Sequence, residues 1–245
     1  MHRLLVSTDI LKAEAPELPA AAAKHLKVLR PENGERVELF DGCGRSRLFA
    51  YDSSARRLAA APDSSVEEAP RPAPLTLFAC ITKGSRWDWT IEKATELGVT
   101  RIVPVVSDRT IVRIAASERE AKRERWQRIA EDAARQSDSK WLPEILPAVT
   151  FRDALALVAD TTCFVGALTD PPSPPLARAL APYLQPPTFN LQPVLSVFIG
   201  PEGDFTPEEL AALLENATPT SFGSTILRAE TAAIFAISVL KSFRD

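Results

Sequence analysis

The residues of this chain best suited to chemistry lie in two short runs, each built around a glycine turn. One is Ile199-Gly200-Pro201-Glu202-Gly203-Asp204-Phe205 and the other is Phe222-Gly223-Ser224-Thr225-Ile226-Leu227-Arg228-Ala229-Glu230-Thr231. The 245-residue chain has only nine glycines and places three of them here. A glycine at a strand exit permits a positive φ or the close approach of backbone to a ligand. Two such loops at the carboxyl ends of neighbouring strands form a small-molecule crevice.

Glu202 sits between turn-forming residues, where a carboxylate can accept from a ligand hydroxyl or amine, or from backbone amides. The bland alternative is a plain strand–turn–helix connection, and residue chemistry alone leaves both open. Thr206, Pro207 and Glu209 read as N-cap, first helical residue and capping-box partner of the following helix. In the second run, Ile226 and Leu227 put large apolar side chains in a connection expected to be solvated. Such residues either cover a flat ligand or fill a gap in the core. Arg228 reads as a ligand-facing cation or as a surface partner of Glu202 or Glu230. Glu230 suits the first turn of the last helix, where its charge opposes the helix dipole.

The elements that must position these loops alternate. Leu75–Ile81, Arg101–Val106, Cys163–Leu168 and Val194–Ile199 read as continuous apolar strands, with shorter ones near Ile145 and Ser221. Trp87–Leu97, Ser117–Gln136, a segment from Phe151, Thr206–Leu214 and Glu230–Phe243 read as helices. The pattern predicts a parallel sheet covered on both faces. The first sixty residues read as a small β-rich domain with one helix from about Pro19 to Leu29 and a hairpin turn at Asp41-Gly42-Cys43-Gly44. Residues 62–74 hold four prolines and read as an extended linker, and 171–193 as a proline-rich surface excursion.

Composition narrows the chemistry. No nucleotide-binding glycine loop and no G-x-S-x-G elbow is present, so dinucleotide oxidoreduction, nucleotide hydrolysis and α/β-hydrolase chemistry lose support. Cys43, Cys80 and Cys163 are far apart and fit small buried residues in a reducing cytoplasm. With only His2 and His25 besides, no metal site is expected, and no segment is long enough to span a bilayer. Net charge is −3, yet residues 71–150 hold 14 basic against 11 acidic side chains. A local basic excess suits phosphate binding or an ordinary solvated helix.

The two runs together, Ile199-Gly200-Pro201-Glu202-Gly203 with Ile226-Leu227-Arg228-x-Glu230-Thr231, resemble the RsmE family of ribosomal RNA methyltransferases, in the knotted SPOUT class. Further matches follow in order along nearly the whole chain. They are His25-Leu26-x-Val28-Leu29-Arg30, Lys83, Trp87 to Pro104 with Lys93-Ala94-Thr95-Glu96-Leu97-Gly98-Val99, Ser107-Asp108-Arg109-Thr110, and Trp126, Ala134, Gln136 and Pro143-Glu144-Ile145.

The resemblance implies a PUA-like RNA-binding β-barrel over 1–70 and a SPOUT α/β methyltransferase domain with a trefoil knot over 71–245. It implies methyl transfer from S-adenosylmethionine to uracil N3 in 16S ribosomal RNA of the small subunit, by a cytoplasmic homodimer. Within the class, action on transfer RNA or on a ribose oxygen is the rival; outside it, an inactive RNA-binding assembly protein. The implied donor site comprises Leu168 and Thr169, then Ile199, Gly200, Pro201, Glu202 and Gly203, then Phe222, Gly223, Ile226, Leu227, Arg228 and Thr231. A carboxylate such as Glu202 would favour a cationic sulfonium. Arg228 and Glu230 are the implied catalytic pair, Arg228 as the cation at the uracil oxygens; Glu230, Glu202 and water stay open as proton acceptors. Arg3 and Arg30 in the N-terminal domain, with Lys83, Arg86, Arg109, Arg135 and Lys140, are the implied RNA contacts. Three positions depart from the family pattern: Asp204 stands at a usual glycine, Asp138-Ser139 at a usual Gly-Arg, and Thr225 at a frequent arginine.

Overall fold

The computed structural model describes residues 1–167, 169, 171–183 and 194–243. The chain divides into two compact units, one of Met1–Pro72 with Ala134–Leu142, the other of Ala73–Ala133 with Pro143–Asp245.

In the first unit, β1 (His2–Leu5), α1 (Thr8–Leu11), α2 (Ala20–Leu29), β2 (Arg36–Phe40), β3 (Arg45–Asp52), β4 (Arg57–Ala60) and β5 (Glu67–Glu68) follow in order. The sheet runs β1-β2-β3-β4, with β5 on β3. β1 lies parallel to β2, and β2 and β3 form the antiparallel hairpin expected at Asp41–Gly44. Leu4, Leu11, Leu26, Val37, Leu39, Phe49 and Leu58 fill its core. Helix α2 ends one residue before Pro31, on Arg30 in the left-handed conformation at φ 49°.

Two sequence expectations change here. Residues 62–74 are not a free linker, because Glu67 and Glu68 pair antiparallel with Ser46 and Arg45. Prolines, lacking an N–H, are tolerated at such a sheet edge. Division of the chain at residue 70 also misses Ala134–Leu142. That segment is tied to the first unit by backbone bonds from Gly44 N–H to Lys140 O (2.9 Å) and from Leu142 N–H to Gly42 O (2.9 Å).

The second unit holds β6 (Leu75–Cys80), α3 (Ser85–Glu96), β7 (Arg101–Val106), α4 (Arg119–Gln136, whose last three residues join the first unit), β8 (Glu144–Ile145), β9 (Val149–Thr150) and α5 (Phe151–Val158). β10 (Thr162–Gly166), α6 (Leu176–Leu180), β11 (Leu195–Ile199), α7 (Pro207–Leu214), β12 (Ala217–Thr220) and α8 (Ala229–Ser242) complete it. Strand order is β12-β10-β11-β6-β7-β8, with β9 also on β7, and every pairing is parallel. Alternate residues feed two cores, as strand periodicity demands. Leu75, Leu77 and Ala79 of β6 and Val197 and Ile199 of β11 face one cluster, with Trp87, Ile91, Trp126, Ala236 and Ile237 from the helices. Phe78, Cys80 and Phe198 face the other, with Ala154, Val158 and Leu213. The expected coverage of both faces is therefore realised.

Candidate functional site

Strand order decides what surrounds the two glycine runs. β11 and β12 are not neighbours, as the sequence suggested; β10 lies between them, with Val165 opposite Phe198 and Gly166 opposite Thr220. The carboxyl ends of three strands thus lie side by side. A cleft of about 340 Å³ opens there, within the roughly 300–1,000 Å³ range of small-molecule sites.

The first wall is the turn after β11. Gly200, Pro201, Glu202 and Asp204 line it, and Gly203 does not. Asp204 N–H donates to Pro201 O (2.9 Å), closing the turn, and Asp204 sits at φ 58°. Its Oδ1 accepts from Phe205 N–H (2.8 Å). Asx side chains tolerate this left-handed region by such local bonds, which accounts for an aspartate at a usual glycine position. The expected capping box then starts α7: Thr206 Oγ1 accepts from Glu209 N–H and Glu209 Oε2 from Thr206 N–H. The other Glu209 oxygen accepts from Asp108 N–H (2.9 Å), fixing the loop after β7.

The second wall is the loop between β12 and α8. Phe222, Gly223, Ile226, Leu227 and Arg228 line the cleft, as do Thr225, Ala229 and Ala232. Ile226 is 87% exposed, an apolar side chain left uncovered beside an apolar cleft. Arg228 is the N-cap residue of α8 and makes no side-chain bond to that helix. Thr231, expected at the site, is exposed and does not line the cleft.

The third wall is Gly166 and Ala167 at the end of β10, two residues that the sequence reading did not name although it placed Leu168 and Thr169, just beyond them, at the site. A Cβ on Gly166 would lie 2.3 Å from the Phe222 ring, so only glycine admits that ring at the cleft. The signal was present as a glycine ending an apolar strand. Of the expected residues beyond β10, Leu168 lies outside the described residues. Thr169 Oγ1 donates to Pro171 O (2.8 Å), shares a bond with Ser173 Oγ (2.6 Å), and does not line the cleft.

Beside the charged lining residues Glu202, Asp204 and Arg228 lie two more charged side chains, Arg86 and Glu230. Arg86, from the first turn of α3, lies 3.7 Å from both Glu202 and Glu230. The Glu230 side chain is 12% exposed, and its Oε2 is buried with no hydrogen-bond partner among the described residues. A buried acceptor without a donor is costly; Glu230, expected at the site, lies beside the cleft and does not line it.

Comparison with known proteins decides the family. Residues 69–241 match the family model of the RNA methyltransferase domain. The whole chain aligns with ribosomal RNA small subunit methyltransferase E of Synechocystis, 31% identical over 247 residues and covering 78% of that protein. The chain belongs to the ribosomal RNA small subunit methyltransferase E family. A crystal structure of ribosomal RNA small subunit methyltransferase E from Neisseria gonorrhoeae, bound to S-adenosyl methionine, superposes with TM-score 0.81 at 28% identity, covering 99% of this chain and 97% of that one. A putative methyltransferase from Legionella pneumophila in complex with the same cofactor gives 0.82 at 28% identity, covering 98% and 96%.

In this member of the methyltransferase E family, the expected RNA contacts fall into different settings. Lys83 and Arg30 are exposed, with no side-chain bond or ion pair among the described residues. Arg109 is turned to another task, donating from Nη1 to Gly203 O (2.9 Å) and Phe205 O (3.2 Å), where it braces the first wall. Lys140 pairs with Glu67 at 3.0 Å, and Arg135 is half-buried near His25. Arg3, expected to face a nucleotide, is instead 5% exposed. Its Nε donates to Glu38 (2.5 Å), its two terminal nitrogens to Ala134 O and Ser139 O, and its guanidinium stacks 4.4 Å from the Phe40 centroid.

The cysteines divide as well. Burial pushes the Cys80 and Cys163 thiols up to about 12, which keeps them inert at neutral pH. Cys43 is exposed, contrary to expectation, because it occupies the β2–β3 turn. Among the described residues no group of three or more His, Cys, Asp or Glu could hold a metal ion, and no helix is long and apolar enough to cross a membrane.

Proposed function

We propose that this chain is an S-adenosylmethionine-dependent methyltransferase of small-subunit ribosomal RNA, acting on N3 of a uracil. The observation that carries the reading is the three-walled cleft of Gly166, the Gly200–Asp204 turn and the Phe222–Arg228 loop, in a chain whose family relatives carry that RNA in their name. The residues present fit the donor. Apolar Ile226, Leu227 and Phe222 suit the faces of an adenine, and the strand-end backbone suits its edge. Glu202 and Asp204 suit a cation.

Bound S-adenosylmethionine supplies a methyl group made electrophilic by the sulfonium. The chain's residues do the rest. Arg228, at the cleft wall, offers its guanidinium to a uracil oxygen, where charge builds as N3 loses its proton. The unclaimed Glu230 Oε2 is the acceptor we assign to that proton. Cleft walls that held the acceptor nitrogen in line with the donor methyl would supply much of the rate.

Three wider features belong to the same reading. The N-terminal five-stranded sheet acts as a PUA-like RNA-binding barrel, a reading supported by its apolar core and by the family resemblance. The methyltransferase domain carries a trefoil knot, supported by the insertion of β10 between β11 and β12 and by the SPOUT resemblance. The protein works as a cytoplasmic homodimer, supported by exposed Trp89 and Phe235 and by three unpaired cysteines.

The test is incubation with labelled S-adenosylmethionine and unmodified small subunits, followed by mapping of the labelled nucleoside. Label on uridine N3 is expected. Label on a ribose oxygen, or on transfer RNA only, overturns the assignment. Arg228→Ala should lower transfer by about 10²–10³-fold while donor affinity changes less than about twofold; equal loss of both would remove Arg228 from the chemistry.

A further inference from the structure

The reading above leaves Arg86 without a task, since it touches neither cleft wall as a lining residue. Its Nη1 is 3.7 Å from Glu202 Oε1 and its Nε is 3.7 Å from Glu230 Oε1. Both separations exceed hydrogen-bond length, so charge alone holds the guanidinium between the carboxylates. The side chain is 46% exposed, and such pairs contribute little to fold stability. The bond that Arg86 gives to its helix, Thr90 Oγ1–H to Arg86 O (2.9 Å), is made by the backbone and survives any change of side chain. What the side chain alters is the potential at the cleft mouth, where it stands between Glu202 and Glu230 while Asp204 and Arg228 line the cleft itself.

We infer that Arg86 sets how strongly the cleft prefers the cationic methyl donor over its neutral product, by offsetting part of the Glu202–Glu230 charge. The inference rests on the donor-site reading. In the transfer, the carbon–sulfur bond breaks, sulfur keeps the electron pair and loses its positive charge, and the methyl bonds to N3 as its proton leaves. A carboxylate near sulfur therefore attracts the ground state more than the transition state, and attraction of that kind does not raise the rate. Arg86 trims it. Its removal tightens donor binding, leaves product binding nearly unchanged and lowers kcat.

Calorimetric titration of the full chain with S-adenosylmethionine and with S-adenosylhomocysteine tests this. Arg86→Gln should raise the donor-to-product affinity ratio about three- to tenfold, and the rise should shrink as salt goes from about 0.05 to 0.5 M. Arg86→Lys should return the ratio toward that of the parent, and Glu202→Gln should lower it. An Arg86→Gln variant that weakens both ligands equally, or leaves the ratio unchanged, overturns the inference and makes Arg86 a structural prop or a spectator. A parent chain that binds neither ligand overturns the donor-site reading itself, and the inference with it.

Discussion

At the residue scale, Asp204 shows how a departure from a pattern becomes intelligible. From sequence it was an aspartate in place of a glycine, next to Gly203, with no reason attached. Its φ of 58° and its bond to Phe205 N–H supply the reason: the turn needs a left-handed residue, and aspartate is among the few non-glycines that take it. Asp138, the other aspartate at a usual glycine position, has φ 56° and repeats the substitution. Alanine has neither the freedom nor the side-chain bond. Asp204→Ala should therefore cost about 1–2 kcal/mol in urea unfolding, and Asp204→Gly should stay within about 0.5 kcal/mol of the parent. Similar losses in both variants would mean that the carboxylate, not the backbone angle, holds the turn. The residue types at these positions were legible in the sequence. Their φ angles were not, because several residues can fill a left-handed site and none announces it.

At the element scale, strands, helices and their alternation were readable because buried parallel strands are continuous apolar runs and helices carry caps. The Thr206–Glu209 capping box was read from four residues and is present. Strand order was not readable, since it depends on which elements pair across long separations. That is why Gly166 was absent from the expected cleft, although Leu168 and Thr169, just beyond it on the same strand end, were named by resemblance. Gly166 yields a sharp prediction. A methyl group there meets the Phe222 ring at 2.3 Å, and that half-exposed ring, packed at the edge of the core and against Phe235, must shift to admit it. Gly166→Ala should keep its melting temperature within a few degrees of the parent yet weaken donor binding at least about tenfold, a 1.4 kcal/mol change. Calorimetry and thermal unfolding of one sample measure both. Unchanged donor affinity would place Phe222 outside the functional wall.

At the scale of the whole molecule, the first unit is assembled from two stretches of chain, Met1–Pro72 and Ala134–Leu142, and this was the least legible feature. Composition marks the proline-rich stretch at 62–74 but says nothing about a nine-residue segment returning from the other side of a long helix. Besides the backbone bonds at Gly42 and Gly44, Arg3 joins them, with bonds to Ala134 O and Ser139 O on one and to Glu38 on the other. The family resemblance gave it to RNA, a role for which arginine is chemically suited. Burial reverses that expectation: all three guanidinium nitrogens are engaged and the group is closed off by Phe40. Removing Arg3 leaves Glu38, among the described residues, with only Lys140, 3.9 Å away, at a cost toward the lower end of the range of about 3–5 kcal/mol for a broken buried pair. Arg3→Ala should therefore lower unfolding stability by about that amount, and Arg3→Lys should fall between, since it keeps the charge near Glu38 but loses the planar fork that reaches two carbonyls. A nucleotide-contacting Arg3 would behave in the opposite way, with RNA affinity falling in Arg3→Ala while the urea midpoint stayed fixed. Equilibrium unfolding and RNA binding on the same variants separate the two roles, and loss of stability together with donor binding close to that of the parent in the folded fraction is the outcome the buried network requires.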